Sequence, residues 1–176
     1  MMTIVFDNFG VASDGLTVMG DRIVGRDTVK VRSRPRMAIY AITGFDPMFD
    51  AAIKWFEAGA DPEKMPGKSP QEESLFYTFM VLSSHAGNGR LSLVRFTSDC
   101  HYPEQQTIPF AAGAGADYAF GALWAGASAL QAVEVVAANT NSTGGRISYL
   151  PYDEVFIPIT TQIIEPVRSY REICGG

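Results

Sequence analysis

Short apolar runs separated by turn residues fill the first part of the chain. The first two runs flank a segment with Asn8 and Gly10, two residue types that accept the left-handed backbone of a tight turn. In the next pair, polar and apolar residues alternate before a turn around Pro35, and a strongly apolar run follows. The pattern predicts four strands in two hairpins: Thr3–Phe6 with Val11–Ser13, and Thr28–Arg32 with Met37–Ile42.

The middle of the chain changes to helical spacing and then returns to strand composition. Asp46 followed by Pro47 is typical of an N-cap and the first helical position, and the predicted helix ends before Gly59. Residues Ala60–Ser74 contain three prolines and mixed charge, which predicts a loop. We expect the following strands after it: Leu75–Leu82 and Leu91–Phe96, paired as a hairpin around His85–Arg90, and then Ile108–Ala112.

Two helices and two late strands follow. A helix is predicted to begin near Asp117 and to stop near Gly126. Ser128 and Gln131 have the spacing of a capping box, which predicts the start of a second helix. Its predicted buried face consists of Leu130, Val133, Val136 and Ala137. The late strands are predicted at Arg146–Leu150 and Glu154–Ile157.

Composition limits the class of protein. The chain has 176 residues, 47% of them hydrophobic, which is enough for one substantial core and too few residues for two ordinary domains. We expect a single α+β domain over residues 1–176, with no assigned structure for 161–176. A net charge of −5 argues against a nucleic-acid partner. No apolar stretch has the length and uniformity of a membrane-spanning helix, so no membrane partner is expected.

Metal-binding residue types are scattered along the chain. Cys100 and Cys174 are the only cysteines, and their wide separation indicates neither a disulfide framework nor a zinc site. His85 and His101 have no carboxylate or cysteine at ligand spacing. We therefore expect no metal and no cofactor, and the cysteine usage suits a reducing, cytoplasmic location.

Several stretches occur in an order and spacing that are typical of one known family. They are Thr3–Val5, the turn Ala12–Gly15, the strand Val29–Arg32, the stretch Trp55–Lys64 and the helix entry Gly113–Ala119. With them the chain resembles the proteasome β-subunit and HslV peptidases of the N-terminal-nucleophile hydrolase superfamily, in particular their small bacterial and phage-borne members. The resemblance extends from the first residues to about Leu150.

The resemblance implies threonine-type peptide hydrolysis. In the family, the hydroxyl of an N-terminal threonine attacks a peptide carbonyl, and the free α-amine of the same residue acts as the base. It further implies that Lys30 stabilises the developing alkoxide, that Asp14 holds this lysine and that Gly44 offers a backbone N–H to the oxyanion. The residues alone leave another interpretation open, in which Lys30 is a solvent-facing strand residue and Asp14 an ordinary turn residue.

Met2 occupies the position of the family's nucleophile. The family's small members typically begin Met-Thr-Thr-Ile with the first threonine as nucleophile, and the spacing to Asp14 places Met2 there and Thr3 one residue later. A thioether cannot attack a carbonyl in this way, and Thr3 lacks a free amine while Met2 precedes it. Met2 is also too bulky for ordinary removal of Met1. We expect impaired catalysis unless a processing event exposes Thr3.

Three supporting positions differ from the family as well. Ala114 stands in place of the serine in the family's Gly-Ser-Gly turn, and Thr140 and Thr143 stand in place of an aspartate and a serine. These changes are expected to slow proton transfer to and from the groups at the start of the chain.

The resemblance also implies a fold and an assembly. The fold is a four-layer αββα sandwich, in which two antiparallel sheets lie between helical layers. The implied assembly is a homo-oligomeric ring or double ring that acts on peptide or protein substrates. The segment between Gly59 and Leu75 is too poor in helix formers for the long second helix of HslV, which weighs against an HslU-type ATPase partner. Two hypotheses follow: an impaired threonine peptidase subunit, or a non-catalytic ring-forming scaffold or binding subunit.

Overall fold

A computed structural model of the chain describes residues 2–19, 21–67, 76–84, 90–98 and 100–156. The helices of these residues are α1 (Phe49–Glu57), α2 (Ala116–Trp124), α3 (Ala129–Asn139) and α4 (Tyr152–Val155), with short 3₁₀ turns at Asp46–Met48 and Pro62–Lys64. The strands are β1 (Thr3–Phe6), β2 (Gly10–Ser13), β3 (Thr17–Met19), β4 (Arg22–Gly25), β5 (Val31–Arg34), β6 (Ala38–Gly44), β7 (Tyr77–Ser84), β8 (Leu91–Thr97), β9 (Cys100–Gln106), β10 (Phe110–Gly113) and β11 (Ser148–Pro151).

Two antiparallel sheets form the centre of the fold. One has the strand order β10-β1-β2-β11, and the other has the order β5-β6-β7-β8-β9. β3 and β4 form a separate antiparallel pair. In the first sheet, Thr3 lies opposite Gly113 on β10, and Ile4 lies opposite Ser13 on β2. The start of β1 is therefore held between the ends of two neighbouring strands.

The alternation of side chains along each strand produces the layers. Ile4 and Phe6 on β1 pack with Met80 on β7 in the cluster between the two sheets. Val5, between them in sequence, faces the other way and packs with buried residues of α2 and α3. On the second sheet, Ile42 and its neighbours pack against α1 in a third cluster. The order of layers is thus α2/α3, sheet, sheet, α1, which is the predicted αββα sandwich.

The sequence pattern located most of these elements. The capping box of Ser128 and Gln131 is present, and α3 begins directly after Ser128. Of the predicted buried face, Val133 and Val136 are buried, whereas Leu130 and Ala137 are only partly buried. The small residues Ala129 and Ala132 complete the face, because α3 lies close to the first sheet.

The sequence pattern did not predict three of the strands. β3 and β4 span only three and four residues, which is too short for a periodic pattern, and all of β4 except Gly25 is exposed. β9 contains Pro103 followed by polar residues. It lies at the edge of its sheet, where proline is tolerated because one side of the strand needs no ladder hydrogen bond.

Two predicted details were wrong. The segment predicted as a strand at Glu154–Ile157 is helical as far as Val155, because Tyr152 and Val155 are buried three positions apart on one side of a helical turn. Asp46 is not an N-cap, since the first turn is a 3₁₀ helix that follows Phe45 without a side-chain cap. Other predictions fall on residues outside the described ones: Leu75, the turn at residues 85–89, Ile157 and the segment 161–176.

Candidate active site

Asp14 and Lys30 form a buried ion pair beside the first strand. The Lys30 Nζ donates to Asp14 Oδ1 over 2.8 Å and to the carbonyl of Leu16 over 2.7 Å. Both side chains are inaccessible to solvent. The family's spacing thus predicted this pair, and the solvent-facing interpretation of Lys30 was wrong. It failed because β5 begins only at Val31, so that residues 28–30 do not follow strand alternation and Val29 is the exposed residue.

The Asp14 carboxylate accepts hydrogen bonds from four parts of the chain. Oδ1 accepts from the backbone N–H of Thr3 at 2.8 Å as well as from Lys30. Oδ2 accepts from the backbone N–H of Leu16 at 3.2 Å and of Gly144 at 3.1 Å. A buried carboxylate requires such partners, because an unpaired one would lose its hydration without compensation. Asp14 therefore connects β1, the loop after β2, Lys30 and the loop after α3.

Burial determines the proton affinity of Lys30. Removal from water lowers the pKa of the Lys30 ammonium, and the attraction of Asp14, with a smaller contribution from Asp46, opposes this shift. Burial is the larger effect. An amine in this environment releases its proton more readily than a lysine in water does, which suits a group that assists proton movement.

Thr3 is held on both its backbone and its side chain. Its N–H donates to Asp14, and its hydroxyl lies 2.6 Å from the hydroxyl of Thr143. A Cβ added to Gly115 would lie 2.4 Å from the Thr3 hydroxyl oxygen, so this side chain is tightly enclosed. Thr3 lies two positions before Val5 and shares its side of β1, towards α2 and α3. Thr3 thus has a fixed structural position in this structure.

The backbone of Met2 is clamped against the glycine turn that follows β10. The Met2 carbonyl accepts from the N–H of Ala114 over 2.8 Å, and the Met2 side chain is buried. Gly113 has φ +98°, and a Cβ there would lie 1.8 Å from the Met2 oxygen. The sequence identified Gly113–Ala119 only as the entry to a helix. The close approach to Met2 is a long-range contact that no local pattern reveals.

Gly44 ends β6 just before the 3₁₀ turn and α1. It has φ +92°, and a Cβ would lie 2.4 Å from the carbonyl oxygen of Phe76. Glycine is therefore required here by backbone packing alone. The same strand is tied to the lysine, because the Ile42 N–H donates to the Lys30 carbonyl over 3.0 Å. The role of Gly44 as an oxyanion donor stays a prediction.

Among the described residues, no group of three or more His, Cys, Asp or Glu side chains is placed to hold a metal ion. No helix of the described part of the chain is both long and apolar enough to cross a membrane.

The fold is shared with solved structures of two proteins. HslV from Trypanosoma brucei matches with a TM-score of 0.57 at 13% identity, over 85% of this chain and 97% of that chain. BPH from Thiobacillus denitrificans, solved in complex with epoxomicin, matches with a TM-score of 0.58 at 17% identity, over 85% of this chain and 96% of that chain. Neither a protein-family model nor a curated protein sequence matches the chain. The predicted HslV/proteasome-type N-terminal-nucleophile hydrolase fold is thus confirmed.

The buried pair leads to a first prediction. Asp14→Asn removes the negative charge beside Lys30 and turns an NH₂ group towards backbone donors, so we expect a loss of about 3–5 kcal/mol in the free energy of unfolding. Asp50→Asn is the matched control, because Asp50 pairs with Arg32 on the surface and its loss should cost about 1 kcal/mol or less. Urea denaturation of both variants measures the difference. Equal losses would contradict the role of Asp14.

The glycine clamp leads to a second prediction. Gly113→Ala meets both a left-handed backbone and the Met2 carbonyl, whereas Gly126→Ala meets the left-handed backbone alone, since Gly126 has φ +92° and open space around it. We expect Gly126→Ala to lose about 1–2 kcal/mol. Gly113→Ala should lose clearly more, because the start of β1 must move. Similar urea midpoints for the two variants would show that the close approach of Gly113 to Met2 does not contribute to stability.

Proposed function

We propose that this chain is a subunit of a proteasome/HslV-like, self-compartmentalising ring whose family activity is threonine-type peptide hydrolysis, and that its own catalysis is impaired. The observation that carries the proposal is the buried Asp14–Lys30 pair next to a strand that begins with Met2 and Thr3. The electrostatic part of a threonine-peptidase site is present, and the nucleophile is missing from the position where the family keeps it.

The chemistry of the family explains why this substitution matters. A hydroxyl at position 2 would attack the substrate carbonyl and pass its proton to the α-amine of the same residue, and the substrate's amine would leave with that proton. Water would then hydrolyse the resulting ester. Lys30 would lower the energy of the developing alkoxide, and Gly44 would donate to the oxyanion. Met2 supplies no hydroxyl, so the first bond cannot form.

Thr3 does not replace the missing nucleophile in this arrangement. With Met2 attached, its nitrogen is an amide that donates to Asp14 and cannot act as a base. Its hydroxyl is paired with Thr143 on the side of β1 that faces the helices. Ala114 also lacks the hydroxyl that the family's turn provides. Each of these features supports impaired catalysis.

A second candidate is a non-catalytic ring-forming scaffold or binding subunit. Its specific support is the exposed surface of α2 and α3. Trp124 is 85% exposed at the end of α2, Tyr118 is 55% exposed on the same helix, and Val135 is 41% exposed on α3. Large apolar side chains of this kind are typical anchors of protein–protein contacts. The proposed partners are further copies of this chain, with a peptide or protein in the enclosed space, and an ATPase partner is not part of the proposal.

The assembly is tested by a third prediction. Sedimentation velocity at micromolar concentration should show a homo-oligomer of ring or double-ring mass, because the exposed side chains of α2 and α3 become buried between subunits. Trp124→Ser should weaken the assembly, whereas Val24→Ser, which changes an exposed apolar residue of β4, is the control. A purely monomeric wild-type protein would contradict the ring.

The site is tested by a fourth prediction. Met2→Thr should permit removal of Met1 and unite the hydroxyl and free amine that catalysis needs, so we expect hydrolysis of a short fluorogenic peptide where the wild type shows none. An epoxyketone, the inhibitor class of epoxomicin, should add one equivalent of mass. The rate is expected to stay below that of an intact site by about 10²–10⁴-fold, because positioned proton-transfer groups are absent.

The matched control is the double variant Met2→Thr/Lys30→Met, which keeps the new hydroxyl and removes the buried ammonium. Because Asp14 then lacks its partner, circular dichroism must first show that this variant is folded. It should neither hydrolyse the peptide nor react with the epoxyketone. If Met2→Thr is inactive after confirmed removal of Met1, the site has decayed beyond its first residue and the scaffold hypothesis is favoured. If the wild type itself hydrolyses the peptide and Lys30→Met abolishes this activity, the nucleophile is not at position 2.

A further inference from the structure

Two arginines meet at the loop that follows Asp14. The Arg146 N–H donates to the Arg26 carbonyl over 2.7 Å, so the residue directly after β4 lies beside the segment that leads into β11. A Cβ on Gly15 would lie 2.5 Å from the Arg26 carbonyl oxygen and 2.7 Å from the Arg146 carbonyl oxygen. The backbones of both arginines are thus packed directly against the residue that follows Asp14.

The side chains of these two arginines are exposed and unpaired. Both residues are exposed to solvent. In the part of the chain that the structure describes, neither Arg26 nor Arg146 forms an ion pair, whereas three other arginines each pair with a carboxylate, namely Arg32, Arg34 and Arg95. Residues on neighbouring segments that share a backbone hydrogen bond have Cα atoms about 5 Å apart. The two guanidinium groups can therefore reach the same ligand.

The charges closest to the pair leave it positive. Asp27 follows Arg26 in the sequence and is exposed, but it forms no ion pair with an arginine among the described residues. Asp14 lies one residue before the loop, and Lys30 neutralises it. Two arginines and one aspartate leave a charge of +1 at this place, in a chain whose formal net charge is −5.

Four further charged residues do not change this count. Asp21 and Arg22 are neighbours where β3 and β4 meet, and their charges offset each other. Asp46 follows β6 and Asp117 lies in the first turn of α2, so both belong to other segments than the loop after Asp14. Exposed charges are screened over about 8 Å at physiological ionic strength. A ligand that contacts both guanidinium groups is therefore governed by the arginine pair.

A guanidinium group is suited to a carboxylate, because its planar fork donates two parallel hydrogen bonds to the two oxygens. The backbones of Arg26 and Arg146 are already fixed, so binding does not have to order them. An extended peptide advances about 3.3 Å per residue. A peptide whose reacting carbonyl lies beside Lys30 therefore reaches the loop after Asp14 within a few residues.

We propose that Arg26 and Arg146 together bind a carboxylate of the peptide that occupies the site beside Asp14 and Lys30, so that acidic peptides are preferred. The inference rests on the proposed function, which supplies the peptide as the ligand. The carboxylate is that of an acidic side chain or of the C-terminus of the peptide.

Fluorescence anisotropy with labelled peptides tests binding to the wild-type protein without hydrolysis. Three peptides of otherwise equal sequence are compared: glutamate with an amidated C-terminus, glutamine with a free C-terminus, and glutamine with an amidated C-terminus. We expect the peptide without a carboxylate to bind about tenfold more weakly than one or both of the others, because charge-assisted hydrogen bonds are lost. The tighter peptide identifies the source of the carboxylate. Equal affinities, or no binding of any peptide, would overturn the inference.

Variants of the pair assign this preference to the two side chains. Arg26→Gln/Arg146→Gln should abolish it, whereas Arg36→Gln/Lys54→Gln, which removes the same charge from two other exposed residues, should retain it. Arg26→Glu/Arg146→Glu should favour a peptide with lysine in place of the glutamate, a reversal that a loss of structure cannot produce. Asp27→Asn should strengthen the binding of the carboxylate peptides. A preference that survives the glutamine variant of the pair, or that the control loses equally, would contradict the inference.

Hydrolysis by Met2→Thr separates this inference from the proposed function. If this variant hydrolyses peptides with and without a carboxylate at equal rates, and Arg26→Gln/Arg146→Gln changes neither rate, the peptidase site stands and the arginine site fails. If carboxylate-dependent binding requires the arginine pair while Met2→Thr is inactive, the arginine site stands and the scaffold hypothesis is favoured.

Discussion

The Asp14 carboxylate is the interaction on which the site depends. It is buried, it accepts hydrogen bonds from the backbone of Thr3, Leu16 and Gly144, and it neutralises Lys30. A carboxylate removed from water is stable only with such a complete set of partners. Its position therefore fixes where the first strand begins, where the loop after β2 turns and where the loop after α3 returns.

The same constraint explains how, under the proposed function, a charged pair can be retained next to a position that no longer carries a nucleophile. Replacing either Asp14 or Lys30 alone leaves the other charge buried and unpaired, which is strongly destabilising. Position 2 is under no such requirement, because the hydrogen bond there joins the Met2 carbonyl to the Ala114 N–H and does not involve the side chain. A change of the buried side chain at position 2 thus leaves no charge unpaired, whereas a change of either member of the pair does.

The sequence predicted the parts of the fold that are locally determined. The hairpin of β1 and β2 and the capped start of α3 follow from turn residues and side-chain spacing that lie within a few positions of each other. The sequence did not predict β3, β4, β9 or the helical form of α4. β3 and β4 are too short for a periodic pattern, β9 contains proline, and α4 owes its shape to packing. In the site, the spacing of the family predicted the Asp14–Lys30 pair, whereas local alternation predicted an exposed lysine. The contacts of Thr3 with Thr143 and of Met2 with Gly113 join distant segments, and no sequence pattern indicates them.

The central claim is that the Met2–Thr3 peptide bond is part of the folded protein, so that no residue combines a free amine with a hydroxyl beside Lys30. Peptide mapping of the start of the purified protein, on the same sample used for a peptide-hydrolysis assay, tests this claim most directly. We predict a proteolytic peptide in which Met2 is joined to Thr3, from a sample without hydrolytic activity. A sample whose first residue is Thr3 and whose peptide hydrolysis depends on Lys30 would contradict the account.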